Sequence, residues 1–269
     1  MKKKFIKKNN FEIKKFFPIN SQTSFEDKYV LLKIKKMMSN NNFNYLEIGS
    51  FLGGSLTPFL IEKKCKIIVS IDKRNQNLED ERNERQSYEN VSTNYMINNL
   101  KKYNLDTSKL KTFNGDVENF KTSTKFDIVF LDGVHTDINT FSDFMNVYEM
   151  VKKDSVILFH DSSIIFKSIN IINTMLKKRK VKHKLAKFKN SEISGIFFGK
   201  YSKYNLTKRI SRVENFIKFI TSAEENLLLE QINNRLQIKF KISRFLKNKY
   251  PYKISLKKKK KRYNLDYHK

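Results

Sequence analysis

The amino-acid sequence predicts an α/β fold built on a doubly wound, mostly parallel sheet with an antiparallel edge strand. Two observations predict this fold. Between residues 41 and 200, short β-branched apolar runs alternate with longer segments of helical periodicity, and an acidic residue ends almost every apolar run. We therefore expect a basic segment and a helix over residues 1–40, the α/β domain over 41–200, a helical extension over 201–250 and a basic, disordered tail over 251–269.

The first half of the chain alternates helices with strands. Over residues 24–38, apolar residues recur at three- and four-residue steps, and Ser24 and Asp27 have the spacing of a capping box. The elements expected next are a strand at 43–48, a helix at 54–64, a strand at 66–72, a helix at 87–105 and a strand at 110–116. Residues 73–86 are polar, and no element is predicted there.

The second half continues the alternation and then changes character. The pattern predicts strands at 126–132 and 155–161 and helices at 137–151 and 164–180. Two late strands, 181–188 and 194–200, have a short connection that suits an antiparallel pair. Residues 205–250 have helical spacing without Gly or Pro, which predicts one or two long helices packed on the core or on a second copy of the chain in a homodimer.

The positive charge of the chain is concentrated at its two ends. The 269 residues carry a net charge of +28, of which +8 falls in residues 1–36 and +15 in residues 200–269, whereas the middle is nearly balanced. Basic flanks favour an anionic partner, such as RNA or a membrane surface, although an AT-rich genome would produce the same lysine-rich composition.

The composition also excludes some classes of protein. The single cysteine, Cys65, excludes an internal disulfide and a cysteine-rich metal site, and indicates a reducing compartment. No apolar run has the length of a membrane-spanning helix, and the N-terminus lacks the pattern of a secretory signal. We therefore expect a cytoplasmic protein, with peripheral attachment to a membrane surface as an alternative.

Acidic residues mark the predicted carboxyl ends of the strands. Because ligands of doubly wound sheets bind beyond those ends, the acids together predict one binding site, although each alone is also a common turn residue. The residues concerned are Glu47, Asp72, Asp116, Asp132 and Asp161. The turn after the first strand, EIGSFLGGS, is rich in small residues that let a ligand approach the backbone, but it departs from the dinucleotide pattern G-x-G-x-x-G.

Five segments together resemble a class I S-adenosylmethionine-dependent methyltransferase of the family-24-like branch, namely YLEIGSFLGGS, SIDKR, FNGDVENF, FDIVFLDGVHTD and VILFHDSS. The resemblance covers about residues 25–200 and implies a Rossmann-like sheet that binds S-adenosylmethionine. It implies that the glycine turn holds the methionine part of the cofactor, that Asp72 holds the ribose and that Asp116 and Val117 lie near the adenine. The turn residues so implied are Glu47, Gly49, Ser50 and Gly53.

Four polar residues at the ends of the fourth and fifth predicted strands are candidates for catalysis. Asp132, His135, His160 and Asp161 suit proton removal from a hydroxyl acceptor, which favours O-methylation of a small molecule or glycan. Related enzymes often bind a divalent cation at such acids, which suggests Asp132 and Asp161 as ligands of Mg²⁺, although His160 stands where those relatives have a carboxylate or amide.

Two other functions remain open on the sequence alone. One is methylation of RNA held by the basic flanks, and the other is a non-catalytic module that docks on an anionic membrane or partner. The chain lacks the Asn/Asp-Pro-Pro-aromatic motif of most amino-group methyltransferases acting on adenine or cytosine. Cys65 precedes a predicted strand, away from the strand ends, which argues against a cysteine nucleophile.

Overall fold

The computed structural model describes residues 13–19, 21–74, 77–87, 91–210 and 213–236. The first twelve residues, the end of the predicted helical extension and the whole basic tail lie outside these residues. The predictions made for them are therefore not addressed by the structure.

A mixed sheet in the order β10-β8-β9-β7-β6-β1-β2-β5 forms the centre of the fold. Strands β5, β2, β1, β6 and β7 are parallel neighbours, β9 lies antiparallel between β7 and β8, and β10 pairs antiparallel with β8. The strands are β1 (Phe43–Ile48), β2 (Cys65–Ile71), β3 (Asn77–Glu79), β4 (Arg85–Ser87), β5 (Leu110–Phe113), β6 (Phe126–Leu131), β7 (Val151–Phe159), β8 (His183–Phe188), β9 (Ser194–Phe198) and β10 (Val213–Glu214). The predicted fold class and the antiparallel pair of late strands are confirmed.

Helices cover both faces of this sheet. Successive residues of a strand point to opposite faces, so Tyr45 of β1 packs in one hydrophobic cluster and Leu46 in the other. The first cluster receives side chains from α1, α2 and α3, and the second from α4, α5 and α7. The helices are α1 (Phe25–Met38), α2 (Thr57–Ile61), α3 (Thr93–Lys102), α4 (Asp137–Tyr148), α5 (Phe166–Lys178), α6 (Leu206–Arg209) and α7 (Phe216–Leu236).

The structure differs from the sequence prediction in three segments. The polar stretch 73–86 contains most of a two-stranded hairpin, β3–β4, which lacks the apolar alternation by which strands are recognised. The hairpin ends at Ser87, where a helix over 87–105 was predicted, and that helix is observed over Thr93–Lys102. Strand β7 begins at Val151 rather than 155, because an irregular register lets its polar first residues continue the pairing with β6. After residue 200, the short helix α6 and the two-residue strand β10 precede the long helix α7.

Among the described residues, no helix combines the length and apolarity needed to cross a bilayer.

Candidate active site

The turn after β1 lies in close contact with the backbone that follows β6. Gly49 has a φ of +82°, and its N–H donates to Ile71 O at 2.9 Å. A Cβ atom at Gly49 would lie 2.0 Å from the backbone oxygen of Asp132. Only glycine fits this position, so the turn fixes Asp132 directly beside it.

Glu47 lies inside β1, fully buried beneath the turn. Its carboxylate oxygens accept hydrogen bonds from the hydroxyls of Tyr45 and Ser55. Burial raises the pKa of Glu47 to about 8, against the lowering effect of the two hydroxyls. Glu47 therefore supports the turn from below and is not among the described residues that line the cavity.

Two other residues expected at this turn have different surroundings. Ser50 lines the cavity, and its hydroxyl shares a short hydrogen bond with that of Ser70. Gly53 also has a φ of +82°, but it packs against the side chains of Leu100 and Met96 and is not among the described lining residues. Ser50 thus faces a ligand, whereas Gly53 joins the turn to α3.

Asp72 follows β2 and lines the same cavity. Its Oδ2 atom accepts the Phe51 N–H at 2.8 Å and lies 3.5 Å from Arg74 Nη2. Burial raises the pKa of Asp72, and the charge of Arg74 opposes this rise. A carboxylate has about four acceptor positions, so these contacts leave room for a further donor. Asp72 and Gly49 therefore meet at one cavity.

Arg74 is a site residue that the sequence analysis missed. Its guanidinium donates to Phe51 O at 2.6 Å and to Ser50 Oγ at 3.3 Å, which holds the turn after β1 against the end of β2. The segment SIDKR contains Arg74, but nothing in the spacing distinguishes it from the many surface cations of this chain.

Asp116 and Val117 form another wall of the cavity, after β5. Asp116 precedes the 3₁₀-helix Val117–Asn119, and its Oδ2 lies 2.8 Å from Lys73 Nζ, with both side chains about half exposed. Val117 is 3% exposed. This wall therefore combines an apolar surface with a carboxylate that already has a cationic partner.

The four catalytic candidates form one cluster at the ends of β6 and β7. His135 Nδ1 lies 3.2 Å from Asp161 Oδ2, and His160 Nδ1 lies 2.9 Å from Asp132 Oδ1. His135 Nε2 is also 3.6 Å from Asp132 Oδ1. Burial lowers the pKa of both histidines, but the carboxylates outweigh burial and raise it above the usual range. Asp132 and His135 line the cavity, and His160 and Asp161 support them.

Asp27, at the start of α1, extends this cluster. Its Oδ2 lies 3.5 Å from His160 Nε2, and its Oδ1 accepts the Glu192 N–H at 2.8 Å and the Ser191 hydroxyl at 2.7 Å. Asp27 also completes the predicted capping box with Ser24. Burial favours the neutral form, but His160 and the hydrogen bonds hold the pKa of Asp27 well below its usual value. The capping pattern identified Asp27 as a helix cap, and its contact with His160 depends on long-range packing.

The β3–β4 hairpin contacts the cluster from outside the sheet. Glu81 N–H donates to His135 O at 3.1 Å, and Glu81 Oε1 accepts the Asp137 N–H at 2.8 Å. From α7, the Gln231 side chain donates to Glu81 O at 2.6 Å and the Asn234 side chain donates to Arg82 O at 2.7 Å. Part of the helical extension therefore packs on the hairpin beside the candidate site.

The cluster also presents a compact set of possible metal ligands. One ligand atom from each of Asp132, His135, His160 and Asp161 lies within 4.8 Å of the others. His135 Nε2 and both ring nitrogens of His160 are buried, and each of them faces a carboxylate oxygen of Asp132 or Asp27 at 2.9–3.6 Å. Two imidazoles with two carboxylates suit a transition metal better than Mg²⁺, which prefers oxygen ligands. The predicted Mg²⁺ therefore gains no support.

Residues 46–162 match a family model described as a methyltransferase domain, of the family-24 type. The matched segment runs from β1 to the turn after β7 and contains the residues just described at the strand ends. Over this segment the chain therefore matches a methyltransferase domain of the family-24 type, which is the family that the resemblance in the sequence implied.

Several individual proteins are also similar to this chain. An uncharacterized protein of Acanthamoeba polyphaga mimivirus is 25% identical over 160 residues, which are 60% of this chain and 66% of that protein. The structure of the O-methyltransferase TomG from Streptomyces achromogenes, in complex with SAM, has a TM-score of 0.48 at 12% identity, covering 70% of this chain and 86% of TomG.

A further solved structure is the SAH-bound methyltransferase PaMTH1 of Podospora anserina. It has a TM-score of 0.47 at 13% identity, covering 71% of this chain and 86% of PaMTH1. The sheet order and strand register of the chain itself define its fold.

Proposed function

We propose that this protein transfers the methyl group of S-adenosylmethionine to a hydroxyl group of a small-molecule or glycan acceptor. The observation that carries the proposal is the meeting of Asp72 and Gly49 with Asp132 and His135 at one cavity. The first pair suits a nucleoside-containing cofactor, and the second suits removal of a proton from the acceptor.

The cavity has the chemistry that this cofactor requires. Asp72 offers acceptor positions for a ribose diol, and Ser50 and the backbone around Gly49 lie where the methionine part would bind. Asp116 and Val117 provide the polar and apolar wall that suits an adenine. The bound cofactor supplies an electrophilic methyl group on a sulfonium, and the protein positions the acceptor for an in-line displacement.

We assign His135 the role of general base. It lines the cavity and stands between Asp132 and Asp161, whose charges stabilise the imidazolium that forms when His135 takes the acceptor's proton. His160 contacts Asp132 and Asp27 and is not among the described lining residues, so it positions Asp132. The neutral form of His135 is the active base.

A divalent cation offers a second way to activate the same hydroxyl. The compact arrangement of four possible ligand atoms within 4.8 Å of one another supports this alternative. Asp132 and Asp161, with His135 and His160, would hold the ion, and the ion would polarise the acceptor oxygen.

The other predicted partners find less support in the structure. Most of the basic residues that suggested RNA or a membrane surface lie at the ends of the chain, outside the described residues. No contact among the described residues favours either partner or a homodimer over a small acceptor, so we propose the small-molecule or glycan hydroxyl.

Replacing Asp72 with alanine should weaken binding of S-adenosylhomocysteine (SAH) by about 10- to 100-fold, because the ribose loses a charged hydrogen-bond acceptor. Isothermal titration of the purified proteins measures this change. Asp106→Ala removes an exposed aspartate after α3 and serves as the control. An Asp72→Ala affinity equal to that of wild type would remove Asp72 from the binding site, and a wild-type protein that binds no SAH would overturn the proposed function.

Replacing His135 with glutamine should lower kcat by about 10²- to 10⁴-fold and leave SAH affinity within about threefold of wild type, since the base acts in the chemical step. SAH release is measured with a panel of catechols, simple phenols and methyl glycosides as acceptors. His183→Gln is the matched control, because His183 bonds Asn173 and Val181 away from the cavity. An unchanged kcat in His135→Gln would contradict the role of His135, and a panel with no turnover would count against a hydroxyl acceptor.

A further inference from the structure

One acidic side chain in the cavity differs from all the others that line it. Every other lining carboxylate has a cationic or imidazole partner within 4 Å. The pairs are Asp72–Arg74, Glu79–Arg85, Asp80–Arg82, Asp116–Lys73 and Asp132–His160. Asp143 of α4 has neither an ion pair nor a hydrogen bond with any residue that the structure describes.

The surroundings of Asp143 make the absence of a described hydrogen-bond partner unfavourable in free energy. The side chain is partly buried, and burial together with the nearby charge of Asp116 raises the pKa of Asp143 to about 7. A partly buried carboxyl group loses part of its hydration, and without a hydrogen-bond donor no protein contact compensates for that free-energy cost. A donor on the bound ligand would remove this penalty.

The position of Asp143 indicates which part of the ligand it meets. Its Oδ2 would be 3.4 Å from a Cβ placed on Gly133, so it lies beside a residue that has no side chain. The charge of Asp116 acts on Asp143, and Val117 lines the same cavity. Open space over a glycine and an apolar side chain suit a planar ring, and a carboxyl beside them suits an amino group on that ring.

We propose that Asp143 accepts a hydrogen bond from the 6-amino group of the cofactor's adenine and so selects an adenine nucleoside. This inference rests on the proposed function, because it assumes that the cavity binds S-adenosylmethionine. Asp116, the residue that the resemblance places near the adenine, already has Lys73 as a partner at 2.8 Å and is about half exposed. It therefore gains less from the amino group than Asp143 does.

The test compares SAH with its 6-deamino analogue, in which purine replaces adenine. Isothermal titration should show wild type binding SAH about 10- to 100-fold more tightly than the analogue. Asp143→Leu, which keeps the shape without an acceptor, should bind both probes with similar affinity. Asp143→Ala, which removes the acceptor with a smaller side chain, gives the same test if the leucine variant fails to fold, and Asp143→Asn, which keeps an acceptor oxygen, should retain most of the preference. Asp106→Leu changes an exposed aspartate outside the described cavity lining and is the control that should keep the preference, whereas Asp116→Leu tests the competing assignment.

The outcomes separate this inference from the proposed function. A wild-type protein that binds SAH and the analogue equally, or an Asp143→Leu variant that keeps the preference, would overturn the role of Asp143. Loss of the preference in Asp116→Leu but not in Asp143→Leu would assign the contact to Asp116 instead. Failure of wild type to bind SAH at all would overturn the proposed function itself.

Discussion

Replacing Gly49 with alanine is expected to destabilise the protein by on the order of 4 kcal/mol or more, or to prevent its folding. The added Cβ would lie 2.0 Å from the carbonyl oxygen of Asp132, 2.5 Å from its carbon and 2.8 Å from Gly133 Cα. All three are backbone atoms of the segment after β6, so the clash can be relieved only by separating β1 from β6. The separation would also displace Asp132 from the cavity.

Gly53→Ala provides a matched control for this effect. Gly53 has the same φ of +82°, but its Cβ would meet only the side chains of Leu100 and Met96, at 3.1 Å and beyond. Its substitution should therefore cost about the 1–2 kcal/mol of a left-handed residue with little additional clash. Urea denaturation of both variants measures the difference. Equal stabilities of Gly49→Ala and Gly53→Ala would contradict the close approach of the two strands.

The second large effect expected is a loss of stability with rising pH, because the folded protein retains a proton on Glu47. The pKa of Glu47 is raised from 4.5 to about 8 by burial, so the folded protein holds this proton over a pH range in which the unfolded chain has released it. The free energy of unfolding therefore falls as pH rises from about 4.5 to about 8, by up to about 1.4 kcal/mol per pH unit from this one group.

Glu47→Gln isolates this contribution because glutamine cannot ionise. The difference in unfolding free energy between wild type and Glu47→Gln, measured by urea denaturation at pH 5, 6, 7 and 8, should shift steadily in favour of the variant. The contributions of other titrating groups cancel in this difference. Parallel stability curves for the two proteins would mean that Glu47 is already ionised when folded, in conflict with its burial between Tyr45 and Ser55.

Local patterns in the sequence predicted most of the sheet. Strands such as β1 and β6 are continuous apolar runs, and the ends of the parallel strands necessarily lie at one edge, so the acids that follow them were expected to meet. The β3–β4 hairpin and β10 were missed because their strands span only two or three positions, too few to show an alternation of apolar and polar residues. Their placement depends on packing against other elements.

The site was predictable where a residue directly follows a strand, as Asp72 and Asp132 do. The roles of Asp27 and Asp143 at the site were not predicted, because both residues lie on helices. Their sequence context there indicates only a helix cap or a polar face. Asp27 reaches His160 through α1, and Asp143 reaches the cavity through α4. Such contacts between distant segments have no local signature in a single sequence.

A crystal structure of the protein with bound SAH tests the central claim most directly. The account predicts the ribose hydroxyls within hydrogen-bond distance of Asp72 and the sulfur directed toward Asp132 and His135. SAH bound elsewhere on the molecule, or bound with its ribose away from Asp72, would contradict the account.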